Sequence, residues 1–229
     1  MKTLKTKIAA ARYLLGPKYK KSYSQCGEDL IVERVFKNLG IAKPFYIDIG
    51  ANDPVIYSNT YLFYKNGAKG IAVEPNPALC EKFKLKRPKD IVLETGMGPK
   101  EGIMTYFMFE SAALNTFSGK EALGTEKKGH KIVKKVETRI STWKEMLQEN
   151  DVTKIDFLSL DVEGLDLEIL KSIDWSGVRP KIICVETQSF GTAGENSGLW
   201  SVEDFLRERG YAVAGMTPIN KIFVDEKND

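Results

Sequence analysis

Carboxylate side chains recur at the ends of apolar segments whose length and composition are typical of buried strands. Asp48 and Glu74 lie at the ends of the first two segments. Asp161 directly follows a later segment, 155–160. Because ligands bind beyond the carboxyl ends of the strands in an open α/β sheet, we expect these acids to meet at one ligand site. The residues at these segment ends are Asp48, Gly50, Asn52, Asp53, Glu74, Asp161, Glu163 and Glu186.

The turn after the first segment has the sequence GANDPV, and it indicates which kind of ligand can bind. Gly50 lets a ligand approach the backbone, and Glu74 can accept two hydrogen bonds from a ribose diol. This turn lacks the GxGxxG arrangement that binds a pyrophosphate, and the carboxylate of Asp53 would repel phosphate. We therefore expect a nucleoside cofactor without phosphate groups. The sulfonium and amino groups of S-adenosylmethionine suit such acidic strand ends.

Strand-like and helix-like segments alternate along the chain, and this order predicts how the acids are positioned. Parallel neighbours need a crossover of about a dozen residues or more, so the spacing favours a parallel sheet with helices on both faces. Strands are predicted over 45–49, 70–74, 91–95, 155–160 and 181–186, and helices over 29–39, 58–65, 77–85, 142–149, 166–173 and 201–210.

Two departures from this alternation are predicted. Segments 104–109 and 131–140 indicate an inserted strand pair around a polar, glycine-containing loop. Segments 211–216 and 221–226 predict a C-terminal antiparallel hairpin that closes the sheet. The stretch 187–200 has three glycines and no periodicity, and we interpret it either as a lid over an acceptor or as a plain connection.

Composition excludes several classes of protein. Hydrophobic residues make up 42% and charged residues 28% of the 229 residues, which is typical of a globular chain and not of a disordered one. Three cysteines without CxxC spacing and a single histidine argue against a zinc site and a disulfide framework. No apolar run approaches the roughly 18 residues of a membrane-spanning helix.

Charge is distributed unevenly between the N-terminus and the rest of the chain. Residues 1–21 contain seven basic and no acidic residues, which leaves 27 basic and 31 acidic residues elsewhere, a net charge of −4. This mildly acidic body argues against nucleic-acid binding. An amphipathic helix over 3–15 would pack on the domain, fray, or attach reversibly to an anionic membrane. We expect a cytoplasmic protein. If the N-terminal helix attaches to the membrane, the protein would be peripheral at its inner face.

Five motifs occur in the order and at the spacing of a known family. Together they resemble the FkbM-type S-adenosylmethionine-dependent methyltransferases. The resemblance implies a Rossmann-like α/β fold with a seven-stranded methyltransferase sheet, and O-methylation, commonly of sugars or polyketide-derived hydroxyls. We expect a single methyltransferase domain over 23–229, after a basic segment at 1–22. The motifs are SQCGEDL (24–30), YIDIGANDP (46–54), SNT (58–60), NGAKGIAVEPNP (66–77) and IDFLSLDVEGLDLEIL (155–170).

The motifs and the strand ends together define the candidate site. A hydroxyl acceptor needs a base, and Asp161, Glu163 and Glu186 are candidates for it. The same three acids are alternatively ligands of a divalent cation such as Mg²⁺ that acidifies the hydroxyl. Glu163 is also interpreted as a partner of the following helix N-terminus. The candidate cofactor-binding residues are Gln25, Asp48, Gly50, Asn52, Asn59, Glu74, Pro75, Glu94 and Asp161.

We expect a small-molecule or glycan acceptor and no nucleic-acid partner. Two alternative functions come from other classes of protein. An NAD-type oxidoreductase shares the acidic strand ends, although the phosphate-binding loop is absent. A non-catalytic nucleoside-binding module would bind the cofactor but would lack a base.

Overall fold

A seven-stranded mixed sheet lies at the centre of the fold, accompanied by a smaller three-stranded sheet. The computed structural model describes residues 19–162, 164–187 and 201–227. The predicted N-terminal helix and residues 188–200 of the predicted long loop lie outside the described residues. The strands are β1 (Phe45–Ile49), β2 (Lys69–Val73), β3 (Ile91–Leu93), β4 (Gly96–Met97), β5 (Gly102–Phe109), β6 (Ile132–Ser141), β7 (Ile155–Leu160), β8 (Pro180–Glu186), β9 (Tyr211–Met216) and β10 (Asn220–Asp225).

The large sheet has the strand order β3-β2-β1-β7-β8-β10-β9. The first five strands run parallel to their neighbours, and β10 is antiparallel to both β8 and β9. This arrangement confirms the predicted seven-stranded sheet and its C-terminal hairpin. Asp48 of β1 lies opposite Ser159 of β7, so the ends of these two strands, and the acids that follow them, are neighbours.

Helices cover both faces of the large sheet, as predicted. On one face Phe36 and Phe63 pack against Phe157, and on the other Ile169 belongs to a cluster with Leu158. Among the helices in the described ranges, none combines the length and apolar character that crossing a membrane requires. The helices are α1 (Glu28–Asn38), α2 (Tyr61–Lys65), α3 (Pro77–Lys86), α4 (Gly119–Lys127), α5 (Trp143–Glu149), α6 (Asp166–Ser172) and α7 (Val202–Glu208).

The inserted strand pair is confirmed, but the segment between its strands is not the predicted loop. β5 and β6 pair antiparallel, and β4 pairs with the other edge of β6. The chain between them forms a short 3-10 helix, Ala112–Leu114, and then α4. Ser118 caps α4 by accepting a hydrogen bond from the Glu121 backbone N–H, and the helix buries only Ala122. A helix with one small buried side chain has no apolar periodicity, so the sequence pattern does not reveal it.

The third predicted strand, 91–95, is shorter in the structure, and the chain then crosses from the large sheet to the smaller one. β3 ends at Leu93, and β4 begins at Gly96 in the smaller sheet. At the crossing, the Thr95 hydroxyl donates a hydrogen bond of 2.8 Å to the carbonyl of Arg139 in β6. The insertion is thereby fixed beside the carboxyl end of β3.

Glu28, at the start of α1, joins distant parts of the described chain. Its carboxylate accepts hydrogen bonds from the Thr217 hydroxyl at 2.7 Å and from the Asn220 amide at 3.2 Å. A third bond comes from the backbone N–H of Cys26 at 2.9 Å. Burial favours a higher pKa for Glu28, but these hydrogen bonds outweigh burial and hold the pKa below its ordinary value. α1 is therefore docked on the turn between β9 and β10.

A fully buried guanidinium, that of Arg87, cross-links the elements beneath the strand ends. Arg87 pairs with Asp90 at 2.7 Å and donates to the Thr60 hydroxyl at 3.0 Å. Thr60 in turn donates to Asp48, and the Tyr46 hydroxyl donates to Asp90 at 2.7 Å. We call Arg87, Asp90, Tyr46, Thr60 and Asp48 the arginine network. It ties β1 to the start of α2 and the end of α3.

Replacing Arg87 by alanine should lower the free energy of unfolding by about 3–5 kcal/mol, because Asp90 would remain buried without its cation. Urea unfolding followed by circular dichroism measures the change. Lys86→Ala, at the exposed neighbouring position, is the control and should change stability by less than about 0.5 kcal/mol. A loss below about 1 kcal/mol for Arg87→Ala would show that the fold does not need the arginine network.

Candidate functional site

An open cleft lies beyond the carboxyl ends of β1, β2 and β7. It contains eight of the nine predicted cofactor-binding residues. The ninth, Glu94, is exposed and does not line the cleft, because the chain turns toward the smaller sheet directly after β3, and Thr95 lines the cleft instead. The eight residues in the cleft are Gln25, Asp48, Gly50, Asn52, Asn59, Glu74, Pro75 and Asp161.

Gly50 allows the ends of β1 and β7 to approach each other. Its φ of 76° lies in the left-handed region, and a Cβ atom built there would stand 1.8 Å from the carbonyl oxygen of Asp161. The Asp161 backbone N–H donates to the carbonyl of Ile49 at 3.0 Å. Only glycine fits this position, and it brings Asp48 and Asp161 to the same part of the cleft.

Glu74 is held by two backbone hydrogen bonds. One carboxylate oxygen accepts from the Asn52 N–H at 2.8 Å, and the other accepts from the Asn76 N–H at 2.8 Å. Burial nevertheless raises the pKa of Glu74 to about 7, and the nearby Asp48 adds to this shift. Each oxygen keeps a second lone pair, so the fixed carboxylate can accept hydrogen bonds from two adjacent hydroxyl groups of a ligand.

Asp48 and Asn59 form the polar floor of the cleft. Burial raises the pKa of Asp48 above its ordinary value, although the Arg87 guanidinium and the Thr60 hydroxyl act in the opposite direction. The Asn59 amide donates to the Ser159 hydroxyl at 3.2 Å, which places the segment before α2 over the end of β7. The floor therefore reaches from β1 to β7.

Asp161 lines the cleft, and no hydrogen bond from the described part of the chain reaches its carboxylate. Burial raises the pKa of Asp161 to about 6, and the charges of Asp48 and Glu28 contribute to the shift. Burial likewise raises the pKa of Asp166 to about 7, with Asp161 as the next cause. Carboxylates that are buried this close together favour a cation among them. The cleft can thus bind a positively charged ligand or accept a proton near neutral pH.

The structure does not place the other two predicted catalytic acids, Glu163 and Glu186, in the cleft. Glu163 lies outside the described residues. Glu186 lines a neighbouring cavity with Asp166 and Lys221, and it is not among the residues that line the cleft with Asp161. Within residues 19–162, 164–187 and 201–227, no three His, Cys, Asp or Glu side chains form a group that could hold a metal ion.

The insertion forms a wall of the cleft that the sequence patterns do not reveal. Tyr106 of β5 and Phe117, just before α4, both line the cleft, and their ring centroids lie 4.7 Å apart. The sequence predicts a strand over 104–109, but its contact with the cleft depends on how the smaller sheet packs. The left-handed Tyr57, with φ 59°, also lines the cleft and was not a candidate from the sequence.

Comparison with known families identifies the chain. The family model of the methyltransferase FkbM domain matches residues 48–213. The chain belongs to the FkbM methyltransferase family. This confirms the resemblance drawn from the sequence motifs, and all of the cleft residues predicted to bind the cofactor, except Gln25, fall within the match. No curated protein matches the sequence.

Two solved structures are among those to which the chain shows similarity, and the first is described as a methyltransferase FkbM. The enzyme from Methylobacillus flagellatus KT is 12% identical with a TM-score of 0.48, over 80% of this chain and 44% of that one. The chain thus spans less than half the length of that relative. A TehB-like SAM-dependent methyltransferase from Corynebacterium glutamicum is 11% identical with a TM-score of 0.37, over 98% of this chain and 97% of that one.

The free energy of unfolding of this FkbM family member should fall as the pH rises from about 5 to about 8. The folded protein holds protons on Glu74 (pKa about 7), Asp161 (about 6) and Asp166 (about 7) that the unfolded chain has already lost. Their contribution to stability is present below the ordinary carboxyl pKa of about 4 and is lost as the pH rises through these values. Urea unfolding at a series of pH values measures the trend.

The variant Glu74→Gln serves as the control for this pH dependence, because it removes one of the three titrations. Its stability should change less steeply with pH than that of the wild type. A wild-type stability that is constant or increases between about pH 5 and pH 8 would contradict the electrostatics described for the cleft.

Proposed function

We propose that the protein transfers a methyl group from S-adenosylmethionine to a hydroxyl oxygen of a sugar or glycoconjugate. The observation that carries this proposal is the acidic cleft, in which Glu74 is fixed by two backbone hydrogen bonds and Asp161 has a pKa near 6. Membership of the FkbM methyltransferase family supports the type of reaction.

The residues of the cleft fit S-adenosylmethionine better than a dinucleotide. Glu74 would accept hydrogen bonds from the ribose diol, and the turn from Asp48 to Asn52 would lie near the methionine part. Among the described residues, no lysine or arginine lines the cleft, so nothing there neutralises a pyrophosphate. The burial of several carboxylates instead favours the sulfonium and ammonium groups. This charge distribution disfavours the NAD-type oxidoreductase.

Bound S-adenosylmethionine would supply an electrophilic methyl group on a sulfonium. The protein's part is to hold the acceptor oxygen in line, about 3–3.5 Å from the methyl carbon, and to remove its proton. Asp161 would accept that proton, and its position in the cleft after β7 and its pKa, raised to about 6, support this role. The hydroxyl proton would pass to the Asp161 carboxylate while the oxygen–carbon bond forms and the carbon–sulfur bond breaks.

Aromatic side chains in the cleft support a sugar acceptor. Tyr57, Tyr106 and Phe117 all line the cleft, and Tyr57 is largely exposed at 66% of its surface. Sugar rings pack their apolar faces on such aromatic surfaces. Two more aromatic residues that the sequence offers for a sugar, Phe190 and Trp200 in the stretch 187–200, lie outside the described residues.

Transfer of a labelled methyl group tests the proposal directly. The full chain is incubated with labelled S-adenosylmethionine and with sugar nucleotides, lipid-linked glycans and small polyols. Label in a hydroxyl group of one of these acceptors would establish the activity. Tight binding of the cofactor without transfer to any acceptor would instead favour the non-catalytic binding module.

Glu74→Gln should weaken the binding of S-adenosylmethionine by about 1.5–3 kcal/mol, because the ribose loses a charged hydrogen-bond acceptor. Isothermal titration calorimetry measures the affinity. Glu94→Gln is the matched control, since it makes the same change at an exposed site outside the cleft, and it should leave the affinity unchanged. Unchanged affinity in the Glu74 variant would remove this residue from the cofactor site.

Asp161→Asn should preserve the fold and lower kcat by about 10²- to 10⁴-fold at saturating cofactor, as expected for the loss of a general base. Turnover is measured with and without a chelator, for the variant and for the wild type. A near-normal kcat would show that Asp161 is not the general base and acts only in cofactor binding. Loss of wild-type activity with chelator would show that a divalent cation takes part, and an unchanged rate would leave the carboxylate to act alone.

A further inference from the structure

A cluster of exposed lysines lies on the insertion that forms one wall of the cleft. Residues 127–135 contain five lysines and no acidic residue, and all five side chains are exposed. No ion pair connects any of these lysines to another residue of the described chain. Their charge is therefore available to a ligand. The five are Lys127, Lys128, Lys131, Lys134 and Lys135.

Lys134 shares a face of the smaller sheet with the wall of the cleft. In the antiparallel pairing of β5 with β6, Tyr106 lies opposite Val136 and Met108 lies opposite Lys134. Side chains two residues apart on a strand point to the same face, and they lie about 7 Å apart. Tyr106 lines the cleft, and Lys134 lies diagonally across from it on the same face of the sheet.

Lys135 belongs to the opposite face of the same strand. It lies opposite Phe107 in the register, and its ammonium group stands 5.2 Å from the centre of that ring. Lys134 and Lys135 therefore carry the same charge on the same strand, but only Lys134 lies on the face that includes Tyr106.

The lysine cluster is also fixed relative to Asp161. α4, which ends at Lys127, contacts the turn after β7, where a Cβ atom built on Gly164 would stand 3.1 Å from the Glu121 side chain. The antiparallel pairing of β5 and β6 then sets the position of Lys134. These contacts hold the strand of Lys134 in the sheet that forms this wall of the cleft.

The charges of the cleft and of the insertion are of opposite sign. The cleft holds several buried carboxylates and no lining lysine or arginine among the described residues, whereas the adjacent wall continues into a lysine. An acidic cleft suits a cationic cofactor but repels an anionic acceptor, unless a cation outside the cleft compensates. We propose that Lys134 binds an anionic group, a phosphate or a carboxylate, of the sugar acceptor.

This proposal rests on the proposed methyl transfer to a sugar and specifies the class of acceptor. The hydroxyl that is methylated would enter the cleft, while the anionic group stays outside at Lys134. An ammonium group on a flexible stem suits this task, because it reaches oxygen atoms on phosphate or carboxylate alike. The acceptors would then be sugar phosphates or uronic acids, and not neutral polyols.

Binding of matched sugars tests the proposal without requiring turnover. The full chain, saturated with S-adenosylhomocysteine, is titrated at low salt with glucose 6-phosphate, glucuronate and methyl glucoside. We expect at least one of the two anionic sugars to bind about 5-fold more tightly than methyl glucoside, which corresponds to about 1 kcal/mol for an exposed charge pair. Which of the two shows the preference identifies phosphate or carboxylate as the group recognised.

Variants of the lysines test whether Lys134 causes the preference for anionic over neutral sugars. Lys134→Gln should abolish it, Lys134→Arg should retain it, and Lys135→Gln, the matched control on the opposite face, should leave it within about 2-fold of the wild type. Equal affinity for anionic and neutral sugars, or no binding of the anionic sugars, would overturn the proposal. An equal loss in the Lys134 and Lys135 glutamine variants would also overturn it, because it would show only a general effect of net charge.

Two further measurements separate this proposal from its alternatives. Sedimentation with phosphatidylglycerol vesicles that depends on Lys134, without binding of soluble anionic sugars, would overturn it in favour of a lipid headgroup. Lys134→Gln should not change the affinity for S-adenosylmethionine, since this residue does not line the cleft. Failure of the proposed function would appear instead as absence of cofactor binding or of methyl transfer in the wild type.

Discussion

The need to compensate one buried cation organises the floor of the cleft. The Arg87 guanidinium is excluded from water, and its position requires acceptors on several sides. Asp90 and the Thr60 hydroxyl meet part of this requirement, and the Ser58 hydroxyl, at 3.3 Å, and the carbonyl of Pro54, at 3.4 Å, meet the rest. Because Pro54, Ser58 and Thr60 all belong to the segment after β1, their hydrogen bonds to Arg87 also fix the loop that contains Asn59.

The buried carboxylates of the cleft, in contrast, are only partly stabilised by their hydrogen-bond partners. Glu74 receives two backbone hydrogen bonds, and Asp48 receives the Thr60 hydroxyl, but the pKa of each carboxyl group remains above its ordinary value. The protein therefore retains a desolvation cost that a bound cation would relieve. Such a site is preorganised for its ligand at the expense of stability in its absence.

The central strands of the large sheet, β1, β2, β7 and β8, could be predicted from the sequence, because their continuous apolar runs are buried on both faces. Most cofactor candidates followed from their places at strand ends. Glu94 is an exception because the chain turns toward the smaller sheet directly after β3, so that Thr95 lines the cleft instead. Arg87 could not be predicted, since it follows Lys84 and Lys86 on α3 and has the local pattern of a solvent-exposed cation. Its burial depends on aromatic rings that only the tertiary structure brings together.

The hydrogen bonds of Glu28 have a consequence for the order of assembly during synthesis. The partners of Glu28, Thr217 and Asn220, are synthesised 189 and 192 residues after it. β10 lies between β8 and β9, so the large sheet is complete only after both strands of the hairpin have been synthesised. Contacts of such long range slow folding, since chain closure precedes their stabilising effect. The docking of α1, which follows Gln25 of the cleft, therefore depends on residues at the far end of the described chain.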